Sequence, residues 1–196
     1  MSEKRTLQKE RTREAIITAA MKVYAEQGLS APTSAIAIEA NISHGSIFLH
    51  FPTVDNLLVS ILDFFSREMT TELHALSEAN TDIQTLLAMH IDVLIRHESF
   101  YKRLIAEATR LPYEARSQLI AIQSTLSIHF SQALKNQIGA GTIKPVPFHI
   151  LFNTWLGLIH YYLLNSDLFA PGESVLKTHK DMLIECFVTL IENHYT

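Results

Sequence analysis

Hydrophobic positions in the first 57 residues recur at helical intervals, and polar or glycine breaks cut them into three segments. Ile16, Ala19, Ala20, Val23 and Tyr24 fall at i, i+3, i+4, i+7 and i+8, so they share one face of a helix. Glu10, Arg13, Glu14, Lys22 and Glu26 take the other faces. Gly28 ends this helix, because glycine adopts the left-handed conformation without a Cβ penalty. Pro32-Thr33 opens a second helix with Thr33 as its N-cap, and Ile36, Ala37 and Ala40 form its buried side. Asn41 is the turn residue, since asparagine comes after glycine in tolerating positive φ. Ile42 fills the corner. Ser43 caps a third helix, from about His44 to His50, that buries Ile47 and Phe51 and turns His44, Gly45, Ser46 and His50 outward.

One helix, a glycine break and two short helices joined by a tight turn is the layout of a helix-turn-helix DNA reader. Short polar side chains at a helix start suit a helix end set into a major groove. On this reading His44 and Ser46 reach base edges, while Thr33, Ser34, Ser43 and His50 hold the DNA backbone, with Gly45 and Phe48 on the same DNA-facing surface. Residues 1–13 form a basic arm, with Lys4, Arg5, Lys9, Arg11 and Arg13 against Glu3 and Glu10 for a net of +3. Arg5 and Lys9 are its expected phosphate contacts.

The run from Arg13 to Leu57 resembles the TetR family of bacterial transcriptional repressors. The matching residues are Ala19-Ala20, Gly28, Thr33, Ile36-Ala37, Ala40, Ile42-Ser43, Gly45, Phe48, His50-Phe51 and Leu57, in order and in register. Two positions depart from the family's habit: Phe48 stands where tyrosine is usual and Val54 where lysine is usual. Both usual residues would touch phosphates. The resemblance implies an all-α chain of about nine helices, with a helix-turn-helix head and a larger helical bundle. It also implies dimerisation through the last two long helices, as a four-helix bundle.

Beyond the head, helices are expected at 54–78, 82–98, 99–110 and 113–137, with breaks at Asn80-Thr81-Asp82, Pro112, and the linker from Gly139 to Pro147. Residues 145–166 carry no charge across a stretch as long as a membrane span. His149, Asn153, Thr154 and His160 interrupt it, and it reads better as a helix buried on two sides. One side faces its own core and the other a second copy of the chain, with Gly157 allowing close approach. In the last helix, about 173–193, the stripe Leu176, Leu183, Cys186, Phe187, Leu190 and Ile191 completes the expected interface.

Charge divides along the same line. Residues 1–53 hold six Lys and Arg against five Asp and Glu, for +1, and residues 54–196 hold ten against fifteen, for −5. Base therefore concentrates in the expected DNA-binding domain, 1–53, and acid in the expected ligand-binding and dimerisation domain, 54–196. The single cysteine, Cys186, excludes an internal disulfide, suits the cytoplasm and is expected in core packing. No phosphate loop, HExxH, CxxC or nucleophile elbow is present, so neither an enzyme nor a cofactor or metal site is expected.

His90, Phe100, Tyr101, Trp155, His160 and Tyr161 mix aromatic and polar character on helices of the body. They suit the lining of an effector pocket and read equally well as ordinary core or interface residues. The expected function is a ligand-responsive repressor that binds a near-palindromic double-stranded operator as a homodimer and leaves it when a small-molecule effector binds. The alternative is a helical dimeric sensor or interaction protein with a weakened DNA-binding head.

Overall fold

The computed structural model describes residues 2–77 and 82–193. Among them the chain is all-α: ten α-helices, a single 3-10 turn and no strand. The elements are α1 (Ser2–Gln27), α2 (Thr33–Glu39), α3 (His44–His50), α4 (Val54–Ser77), α5 (Ile83–Arg96), α6 (Glu98–Ala106), the 3-10 turn Ala108–Arg110, α7 (Tyr113–Gly139), α8 (Phe148–Leu164), α9 (Ser166–Phe169) and α10 (Val175–Ile191). The short α9 was not foreseen. Of the break at Asn80-Thr81-Asp82, the first two residues lie outside the described residues; Asp82 caps α5 by accepting from the Thr85 amide at 2.8 Å. The basic arm is helical from Ser2, so its cations ride on the first turns of α1.

Two compact units are present, Met1–Phe65 with Ser99–Leu119, and Ser66–Glu98 with Ile120–Thr196. In the first, Ile16, Ala20, Tyr24, Ile36, Ile47, Phe51, Leu57 and Ile61 form the core. Burying each large apolar side chain contributes about 1.5–3 kcal/mol. In the second, α10 packs on α5 and α8. Its centre is aromatic: the Phe130 ring lies 5.4 Å from Phe152 and 6.2 Å from Phe187, and Trp155 meets Phe187 edge-on at 5.2 Å. The start of α10 is held by a carboxylate. Glu98 accepts from the amides of Val175 at 2.9 Å and Leu176 at 3.3 Å and from the Ser174 hydroxyl at 2.5 Å, which satisfies donors that a helix start leaves open.

The uncharged segment forms α8, and no single helix among the described residues is long and apolar enough to cross a membrane. Leu151, Phe152, Trp155, Leu156, Ile159 and Leu163 are buried, while Ile150, Gly157, Tyr161 and Leu164 are exposed. Only part of the expected α10 interface stripe lies on the surface. Leu176, Leu183, Phe187 and Ile191 are core residues of their own unit, and Cys186 and Leu190 are exposed. Cys186 is thus a surface thiol rather than the expected core residue, because it flanks the buried row of Leu183 and Phe187 on α10 instead of lying in it.

Candidate nucleic-acid interface

Local backbone geometry builds the head. Gly28 has φ +92° and ends α1, and its amide bonds the Tyr24 carbonyl at 3.0 Å. Asn41 has φ +53°, the one non-glycine residue with positive φ among those described, and sits in the turn between α2 and α3. The Ile42 amide then bonds the Ala37 carbonyl at 3.0 Å and closes the corner. Ile47 and Phe51 anchor α3 to the core, which leaves His44, Gly45, Phe48 and Leu49 on its outer face.

The polar side chains of this surface pair with one another. Thr33 is the first residue of α2, not its cap, which falls at Pro32; its hydroxyl lies 2.7 Å from His44 Nε2. The hydroxyls of Ser43 and Ser46 are 2.6 Å apart, so Ser43 occupies the N-cap position of α3 without making a side-chain cap bond. Ser34, Arg5 and Lys9 are exposed and available to a backbone of phosphates. His50 is only half-exposed, and its Nδ1 is buried without a hydrogen-bond partner. Burial holds its imidazole below the usual histidine range, and Lys9 and Arg13 add to the shift. In the core of the same unit, the fully buried Tyr24 hydroxyl lacks a hydrogen-bond partner, and burial with help from Asp55 pushes its pKa up to about 12.

Arg13 has a structural place beyond its charge in the arm. Its Nη1 donates to the His50 carbonyl at 3.2 Å and its Nη2 to the Ser60 hydroxyl at 2.7 Å. Its guanidinium lies over the Phe51 ring, 4.3 Å from the centroid. Ser60 passes its own hydrogen to the Asn56 carbonyl at 2.7 Å. One cation therefore joins α1 to the end of α3 and the start of α4, and its charge suits the carbonyl end of α3.

The six residues expected to line an effector pocket fall in both compact units. Phe100 and Tyr101 are buried in the first unit, where Tyr101 stacks on Phe65 at 5.6 Å. His90 and Trp155 are buried in the second, and Trp155 Nε1 donates to His90 Nδ1 at 3.0 Å. Burial, with the nearby His160, pushes the His90 pKa down to about 3, and burial also lowers His160. Tyr161 is exposed beside Phe169, at 5.9 Å between rings, because it lies on the outer row of α8. An open groove of about 560 Å³ runs along α7 and α8 instead, with Ile120, Ile128, Lys135, Phe148 and His149 among its walls. Among the described residues no three His, Cys, Asp or Glu side chains converge as a metal site.

Fold and head together define an all-α protein with an N-terminal helix-turn-helix. Residues 16–61 match the model of the bacterial regulatory proteins, tetR family, so the resemblance of the head to that family holds over this segment. An HTH-type transcriptional repressor of Mycobacterium tuberculosis is 39% identical over 84 residues, which are 42% of this chain and 44% of that protein. The HTH-type transcriptional regulator YuxN of Bacillus subtilis is 28% identical over 127 residues, 61% of this chain and 43% of that protein. The chain thus spans less than half the length of these curated relatives.

Solved structures extend the likeness of fold to the whole chain. A transcriptional regulator from Saccharomonospora viridis in complex with choline superposes with a TM-score of 0.76 at 18% identity, over 94% of this chain and 100% of that one. The ketosteroid transcriptional regulator KstR2 of Mycobacterium tuberculosis gives 0.75 at 17%, over 93% and 95%. The transcriptional regulator FadR from Bacillus subtilis in complex with stearoyl-CoA gives 0.67 at 20%, over 91% and 98%.

Proposed function

We propose that this chain is a ligand-responsive transcriptional repressor that binds a near-palindromic operator as a homodimer. The observation that carries the reading is the head: a reading helix pinned at both ends, with its outer face open and a basic helical arm behind it. Residues 1–53 read DNA on this proposal, and residues 54–196 carry the dimer face and the effector site. The outer row of α8, with Ile150, Gly157, Tyr161 and Leu164, and the exposed Met182, Cys186 and Leu190 of α10 supply a dimer face of mixed apolar and small residues. A Cβ added at Gly157 would meet nothing within 4 Å, which leaves room for a second helix to approach.

Within the head, Thr33, Ser34, Ser43 and His50 take positioning contacts and His44 and Ser46 base contacts, which requires the Thr33–His44 and Ser43–Ser46 pairs to open on the operator. A small-molecule effector among the helices of 54–196 releases DNA by favouring a shape of the dimer in which the heads no longer match the groove spacing. By reciprocity it must bind more weakly when operator is present.

A second reading has its own support. Among its seven residues α3 carries no Lys or Arg, and Phe48 and Val54 stand where two phosphate-contacting residues are usual, so on this reading the chain has kept the sensor and lost the operator. A gel shift with the DNA upstream of the chain's own coding region separates the two. Retention that survives excess random DNA is the expected result, and uniform loss to competitor would favour the sensor.

A further inference from the structure

The outer face of the reading helix ends in two apolar residues that the polar reading of α3 passes over. Phe48 is 41% exposed and Leu49 is 81% exposed, one turn beyond His44 and Gly45. Helical side chains lean toward the N-terminus of their helix, which carries Leu49 over the position of Gly45. Nothing lies within 4 Å of where a Gly45 Cβ would be, so the space beneath Leu49 is open. On its other flank the Phe48 ring stands edge-on to His44, 5.4 Å between centroids. A shallow apolar notch results, floored by glycine backbone and walled by Leu49 and Phe48.

Chemistry selects the occupant. With no Lys or Arg on α3, the helix lacks the donors that grip guanine through O6 and N7. The base edges of the major groove display one apolar group, the thymine C5-methyl. We propose that Leu49, with Phe48 beside it, reads thymine methyl groups, so that specificity rests partly on apolar contact and the half-site carries thymine beneath the second turn of α3. The proposal rests on the reading of the head as a DNA-binding element and names what that element recognises.

Deoxyuridine substitution removes the methyl and leaves the hydrogen-bonding edge intact, so it isolates this contact. Each thymine of the retained operator is replaced singly by deoxyuridine, and dissociation constants are measured for the wild-type chain and for Leu49→Ala. The exposure of Leu49 makes the variant neutral for folding. At one or two positions per half-site, deoxyuridine is expected to weaken the wild type about fourfold, the value of one buried methyl-sized group, and to leave Leu49→Ala unchanged. Wild-type binding indifferent to every deoxyuridine, or equal sensitivity in the variant, would overturn the proposal. Failure to retain any DNA above random competitor would overturn the head reading itself, and this inference with it.

Discussion

Moving the protein from pH 7 to pH 5 is expected to remove roughly 2 kcal/mol of folding stability through His90 alone. The ring is buried and accepts the Trp155 indole hydrogen on Nδ1, so its own proton sits on Nε2 and a second proton would meet the indole N–H. Its folded pKa lies near 3, below the ordinary 6.5 of the unfolded chain. Between those values the unfolded state binds the extra proton, so stability is present at neutral pH and is lost as pH falls below about 6.5. His160, also lowered by burial, adds in the same direction. His90→Gln keeps an acceptor for Trp155 and does not titrate. Denaturant unfolding at the two pH values should therefore show a smaller acid loss in His90→Gln than in the wild type. Equal losses would remove the buried neutral histidine from the account.

Replacement of Arg13 should cost operator affinity by an amount that its charge does not explain. Its guanidinium spans the His50 carbonyl, the Ser60 hydroxyl and the Phe51 face, a planar arrangement that a lysine ammonium cannot reproduce. Hydrogen bonds from a charged donor are worth about 1.5–3 kcal/mol each, so Arg13→Lys should weaken operator binding about tenfold or more. Binding to random DNA should stay near the wild-type value, because the positive charge is retained. The salt dependence decides between positioning and direct phosphate contact: a positioning residue leaves the slope of log affinity against log salt unchanged, and a lost phosphate contact lowers it by about one. Full rescue by lysine, or equal weakening on operator and random DNA, would contradict the positioning role.

How much of this was legible in the sequence follows from how local each determinant is. Gly28 and Asn41 mark backbone conformations that few residues tolerate, so one residue reports one φ angle, and the turn and helix breaks could be placed from them. Ile47 and Phe51 follow from helical period. Thr33 shows where the logic stops: the side chain belongs to a cap residue, but Pro32 already takes the cap position, and the hydroxyl is drawn to His44, eleven residues on. The Trp155–His90 bond spans 65 residues and carries no local signal. Tyr161 and Cys186 were misplaced for a related reason. Both lie on apolar helices, where composition fails to tell the inner row from the outer one, and packing of α8 and α10 on their own unit decides it. Leu49 escaped because an exposed leucine breaks the polar pattern by which the reading face was recognised, though a large apolar residue beside a glycine on a reading helix is a usable signal.

The most direct test of the account is a footprint on the DNA upstream of the chain's own coding region. A dimer with one reading helix per subunit must place both on the same face of the duplex, so two protected half-sites should appear, related by two-fold symmetry and centred one helical turn apart or a multiple of it. The account predicts that pattern, with thymine in equivalent places in both halves. A single asymmetric half-site, or protection spread evenly along the fragment, would contradict it.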